Sequence, residues 1–295
     1  MMIISTIQKL CLFMLGFCRL SISHNLANIL AFVLFTKKSK KYHVAYKNLS
    51  ICFPEKPIKW VEKKARESLI EYAKSLLEAP YIYRVSRKNI NGLINKIYSE
   101  NIINDAIKEG KGIIFMTPHH GSWELAGLFA ASKIKTCTMY KPLRSKILDD
   151  FVLSGRGSKG SILVKTDNAG VKELLNALKN NNGVGILPDH TPKINQGVMS
   201  NFYNVPVNTT TLIHKLGKRN KTPIVYIFSE RLLNGKGFDI HIGAIEKIFY
   251  ELDEDKAADL LNKTLENLVN KNISQYLWSY ERFRNRSGAE ENIYN

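Results

Sequence analysis

The chain has 295 residues, enough for one α/β domain with a terminal extension and a substantial buried core. Lysine and arginine number 43 against 26 acidic residues, a formal charge of +17 that calls for an acidic partner: nucleic acid, an anionic membrane surface, a phosphorylated lipid or an acidic protein. The cysteines Cys11, Cys18, Cys52 and Cys137 show no paired metal-type spacing and two lie in the apolar N-terminus, so reduced cytoplasmic thiols are expected; no internal repeat or long disordered tract is present.

Residues 1–36 are apolar but interrupted: Lys9 and Arg19 flank the first run, and His24 and Asn25 lie in the second. About 20 apolar residues are needed to span a bilayer, so the segment is expected to anchor the chain as a monotopic or single-pass element. A small-residue cleavage site is absent, which argues against a removed signal peptide. The basic cluster Lys37-Lys38-Ser39-Lys40-Lys41 follows, as suits the cytoplasmic side of an anionic membrane, and residues 37–295 form the second unit. Residues 46–55 read as a helix end and a Pro54 turn; residues 59–83 read as a long helix with Trp60, Ala65, Leu69, Ala73, Leu76 and Leu77 on one stripe. A shorter helix is expected near 101–109.

The organising stretch is residues 112–125. Ile113 to Met116 is a short apolar run bounded by glycine and proline, hence a buried strand; Pro118 and Gly121 break the backbone, and Ser122 is placed to cap a helix from Trp123. His119 remains in the loop, from which it is expected to fold back onto Glu124 in the first helical turn. The carboxylate would then accept one ring N–H and leave the other nitrogen as a base. Taken alone, such a pair is more often structural.

Further strands are expected at 135–140, 161–165, 184–187, 223–229 and 238–243, and helices at 146–153, 171–179 and 255–272, with Thr209 to Thr211 capping a helix through Ile213 and Leu216. Arg156 falls in a glycine-rich loop after the 146–153 helix, and Asp189 follows Pro188 at the end of the 184–187 strand. The expected fold class is α/β, one domain with a central mostly parallel or mixed sheet flanked by helices, plus an N-terminal apolar membrane-anchoring helix over residues 1–36.

His119-x-Gly121-Ser122-Trp123-Glu124 resembles the His-x-Gly-Asn-Trp-Glu form of the motif in the bacterial lipid A late acyltransferases, members of the lysophospholipid acyltransferase superfamily. The resemblance extends through Asn48-Leu49…Phe53-Pro54-Glu55, Tyr140-Lys141-Pro142, Pro188-Asp189 and Tyr276-Leu277-Trp278-Ser279-Tyr280-Glu281-Arg282-Phe283. Ser122 stands where the family usually has asparagine, Asn204 where it has glycine, and Tyr280 where it commonly has histidine; no catalytic role is assigned to Tyr280.

The resemblance implies acyl transfer from acyl carrier protein to the hydroxyl of a 3-hydroxyacyl chain on a lipid A precursor, at the cytoplasmic face of the inner membrane. His119 and Glu124 would be catalytic; Arg156 backed by Asp189 would bind phosphate, and Ser122, Trp123 and Lys141 complete the substrate-binding set. Backbone N–H groups near Ser122 and Trp123 are the candidate oxyanion donors. Thioester-to-ester exchange needs no metal or redox cofactor. Acyl carrier protein, the lipid precursor and the anionic leaflet are the expected partners, and nucleic acid is not. The rivals are an acyltransferase for another membrane lipid, with a carrier-protein or CoA donor, a metallohydrolase built on His119, His120, Glu124, Asp189 and His190, and a basic binding protein.

Overall fold

The computed structural model describes residues 2–34, 36, 39–193, 196–284 and 293–294. Two apolar helices, α1 (Met2–Phe17) and α2 (Leu20–Leu34), break at Cys18–Arg19 and lead to α3 (Lys40–Cys52) and the 32-residue α4 (Ile58–Asn89). After strand β1 (Ile94–Tyr98) and α5 (Asn101–Lys108) come the alternating units β2 (Ile113–Met116), α6 (Trp123–Lys133), β3 (Thr136–Tyr140), α7 (Lys146–Arg156), β4 (Ile162–Lys165), α8 (Asn168–Lys179) and β5 (Gly183–Ile186). A hairpin, β6 (Gly197–Phe202) and β7 (Val205–Thr210), precedes α9 (Leu212–Lys218), β8 (Ile224–Arg231), β9 (Phe238–Ala244) and α10 (Glu254–Val269).

Seven strands form one sheet in the order β1-β9-β8-β2-β5-β3-β4, parallel throughout except where β8 meets β9. Both faces are covered. Ile113 and Phe115 join the core beneath α6 and the C-terminal half of α4, while Ile114 and Met116 join the core beneath α8 and α10. Burial on both sides is why the central strands are unbroken apolar runs rather than alternating ones. The β6–β7 hairpin packs on α10, turning through Tyr203 and Asn204, both at positive φ (51° and 61°). Asn204 thus takes the left-handed conformation for which asparagine is the usual substitute for glycine.

Both N-terminal helices pack on α4. On α2 the face Leu20, Ser23, His24, Ala27 and Ala31 is buried, whereas Ile22, Leu26, Ile29, Phe32 and Val33 are exposed. No helix among the described residues is long and apolar enough to cross a membrane. At 16 and 15 residues, α1 and α2 reach only about 24 and 22 Å, short of a hydrocarbon core of roughly 30 Å. The expected single-pass anchor is therefore not supported. Of the basic cluster that follows, Lys37 and Lys38 lie outside the described residues.

Candidate active site

The site forms where parallel strands β2 and β5 lie side by side and their carboxyl ends release loops, the usual binding position of an open α/β sheet. Met116 is the register partner of Ile186, and Thr117 N–H extends the ladder to the Ile186 carbonyl at 3.1 Å. Three residues further along each strand stand His119 and Asp189, and equal steps from a shared register bring them together. Asp189 Oδ1 lies 3.0 Å from His119 Nδ1, and Oδ2 accepts the His119 backbone N–H at 2.9 Å. A carboxylate only accepts, so Nδ1 carries the hydrogen and Nε2 holds the lone pair. Burial would raise the Asp189 carboxyl, but the His119 imidazole and the two hydrogen bonds hold it far below the usual range.

Glu124 turns the other way. Arg156 grips it bidentately, Nε to Oε2 at 2.9 Å and Nη2 to Oε1 at 2.6 Å, and Tyr83 donates its hydroxyl to Oε2 at 2.6 Å. Burial opposes the Glu124 charge, yet the guanidinium and these donors lower its pKa; Tyr83 is pushed well up by burial first and by Glu124 second. Gly155 is needed here, since a Cβ on it would come within 2.3 Å of the Tyr83 ring. Trp123 lies between the two clusters: its ring meets His119 edge to face at 5.5 Å, and its side chain adds a hydrogen bond to Glu124.

His119, Glu124, Arg156 and Asp189 thus meet as expected, but with their partners exchanged. The sequence pairs His119 with Glu124 and Arg156 with Asp189; the structure pairs His119 with Asp189 and Arg156 with Glu124. The physical reason is that α6 begins after His119, and Glu124 in its first turn faces α4 and α7. Arg156 also sits in the last turn of α7, not in a glycine loop. Ser122 occupies the helix-cap position without a side-chain capping bond; its hydroxyl is buried with no hydrogen-bond partner among the described residues. Its N–H donates to the Ser229 carbonyl at 2.8 Å, so it is not available to an oxyanion. Lys141 is exposed just beyond Tyr140, whose ring lies 5.7 Å from the Arg156 guanidinium.

His120 is engaged elsewhere, with Nε2 2.8 Å from the Asn272 carbonyl and its ring stacked on Phe228 at 3.9 Å. Tyr280 braces the Asp189 loop instead: its hydroxyl oxygen accepts the Thr191 N–H at 3.1 Å and lies 3.3 Å from His190 Nδ1. Between α6 and the sheet lies a cavity of about 60 Å³ whose lining includes Trp123, Glu124 and Arg156. Apolar Phe115, Leu128, Ala130, Leu163 and Leu187 line much of it. Gly127 faces open space, with nothing within 4 Å of a Cβ built on it. The site thus offers an oriented histidine and, across Trp123, a charged pair in the wall of a largely apolar cavity.

Tyr83 escaped the sequence reading because it falls on the helical stripe and reads as core. Arg231, Glu71 and Glu78 escaped it too, although carboxylates seven residues apart on one face of a long helix are a signal of a buried cation.

Residues 3–285 match the family model described as bacterial lipid A biosynthesis acyltransferase. Among curated relatives, the lipid A biosynthesis palmitoleoyltransferase of Escherichia coli K12 is 24% identical over 262 residues, covering 86% of this chain and 82% of the relative. The lipid A biosynthesis lauroyltransferase of the same strain is 24% identical over 254 residues, covering 85% and 81%. A lipid A biosynthesis acyltransferase of Haemophilus influenzae is 24% identical over 286 residues, covering 95% and 87%. With the match running nearly end to end, the chain belongs to the bacterial lipid A biosynthesis acyltransferase family and is an acyltransferase.

Proposed function

We propose that this enzyme transfers a fatty acyl group from an acyl carrier protein thioester to the hydroxyl of a 3-hydroxyacyl chain on a lipid A precursor, with His119 as general base. The observation that supports it most is the double hold of Asp189 on His119, which leaves Nε2 as the proton acceptor. Nε2 takes the hydroxyl proton as the oxygen attacks the thioester carbon. The tetrahedral intermediate then collapses, the C–S bond breaks, and the imidazolium returns its proton to the departing thiolate, giving ester and thiol. Asp189 keeps the imidazole oriented and balances its charge while it is protonated.

Glu124 has a different part from the one its spacing suggests. It neutralises Arg156 and fixes it in the wall of the cavity. With its charge answered, the guanidinium suits the carbonyl oxygen of a thioester, where negative charge develops, better than a full phosphate. The apolar recess then takes the first carbons of the acyl chain. The basic surface suits an acidic carrier protein and an anionic leaflet, and the exposed apolar faces of α1 and α2 suit a position on that leaflet without crossing it.

Mass spectrometry of the lipid formed from a carrier-protein thioester and a 3-hydroxyacylated glucosamine lipid tests this. One added acyl ester on the hydroxyacyl chain is expected. An ester found only when a glycerophospholipid is the acceptor would overturn the assignment of substrate.

A further inference from the structure

Arg231 ends β8, the strand beside β2, and its side chain is 1% exposed. Each of its three guanidinium nitrogens has a partner. Nε and Nη2 donate to the two oxygens of Glu78 at 2.7 and 2.6 Å, Nη1 donates to Glu71 at 2.6 Å, and Nη2 also reaches Ser75 Oγ at 2.9 Å and the Gly121 carbonyl at 3.2 Å. Gly121 is two residues after His119. Its carbonyl also accepts from Ser75 Oγ at 3.3 Å, and its N–H donates to the Gln275 carbonyl at 3.0 Å. No other residue fits: φ is +61°, and a Cβ would sit 2.0 Å from the Ser229 oxygen. The peptide that carries the histidine loop is therefore held from both sides.

The cluster reaches one element further. Glu78 Oε2 also lies 2.8 Å from Nε2 of His24, which is 4% exposed on α2. A well-packed apolar core would hold α2 to α4 as firmly as buried ions do. What an apolar core does not supply is a directed hydrogen bond to the Gly121 carbonyl, and that bond is made by the arginine whose carboxylate partner α2 orients.

We propose that Arg231 is a positioning residue for the His119 loop, and that His24 makes its aim depend on the seating of α2, the helix whose outer face is apolar. This rests on His119 being the base. A loop displaced by even about 1 Å misaligns the base with the attacking hydroxyl, at a cost of up to roughly a hundredfold.

The experiment uses the full chain, with turnover measured on carrier-protein thioester and lipid acceptor. Association with vesicles of phosphatidylethanolamine and phosphatidylglycerol is measured alongside. His24→Leu should lower kcat about tenfold or more, leaving KM for both substrates and vesicle association unchanged, because only loop geometry is lost. His24→Gln, whose amide nitrogen can stand where Nε2 stands, should restore most of the loss. Arg231→Lys keeps the charge but not the fork, should show the same kcat-selective fall, and decides the matter if His24→Leu does not fold. Wild-type kcat in either folded variant, a loss that follows vesicle dissociation, or no rescue by glutamine overturns the proposal. His119→Ala separates the two levels: full activity there removes the base assignment itself, whereas an inactive His119→Ala beside an unimpaired His24→Leu removes only this inference.

Discussion

Asp189 meets His119 through two oxygens with one demand each: the backbone N–H and the ring N–H both need an acceptor. In Asp189→Asn the amide has one acceptor, which the backbone N–H claims, and its NH₂ then faces Nδ1. That arrangement holds the opposite tautomer, with the hydrogen on Nε2, and the base is lost without loss of the loop. Turnover should fall about 10²–10⁴-fold with the melting temperature nearly kept; a steady-state assay showing wild-type kcat would discard Asp189 as the orienting group. Glu124→Gln acts differently, leaving Arg156 and Tyr83 with a weakened partner in the cavity wall while His119 keeps its tautomer. All four residues were named from the chain, Arg156 and Asp189 only through the family resemblance. Their pairing was not, because five residues of sequence separation invite a local partner, whereas the true partner is 70 residues away and reached only through the β2–β5 register.

α6 shows what a buried helix can do for specificity. Its Leu125, Ala126, Leu128, Phe129 and Ala130 are all buried, and Gly127, which lines the cavity with Leu128 and Ala130, has nothing within 4 Å of a built Cβ. Gly127→Leu should raise helix stability by about 1 kcal/mol through propensity while the new side chain occupies the recess. Competition between long and short acyl thioesters should then shift toward the short one; an unchanged preference in a folded variant would show that the acyl chain lies elsewhere. The strands and helices around this site were readable because short apolar runs between glycine and proline are what a doubly covered parallel strand requires. Less was readable at the periphery. β1 is an edge strand without a burial alternation, its Asn95, Lys96 and Tyr98 all exposed, and α3 is polar enough to read as a helix end before Pro54.

At the scale of the molecule, the C-terminal segment packs over the histidine loop and buries His120. The residue is 1% exposed, and burial lowers its pKa to about 4, with Arg231 adding in the same direction and Asn272, Glu230 and Asp189 opposing. A histidine depressed in the fold contributes stability that is complete above its unfolded value near 6.5 and declines as pH falls toward 4, because the unfolded chain takes up the proton first. By pH 5 this group alone should have removed roughly 2 kcal/mol. Urea titrations at pH 7.5 and 5 should show the loss, and His120→Gln should flatten it; equal loss in the variant would assign the effect to other groups. The general outline of this architecture followed from the chain, but the N-terminal hairpin did not, since hydropathy marks a greasy segment without revealing that it breaks at Cys18–Arg19 and turns a histidine inward.

The histidine loop is finished by residues far downstream: Asn272 receives His120, Gln275 receives Gly121, and Leu277 N–H reaches the His119 carbonyl at 3.0 Å. During synthesis, then, the chain must emerge as far as Leu277 before the imidazole is set in place. A half-made enzyme already resting against the lipid has no means to misfire, and ribosomal stalling or a premature stop before these residues yields a silent protein rather than an unregulated one.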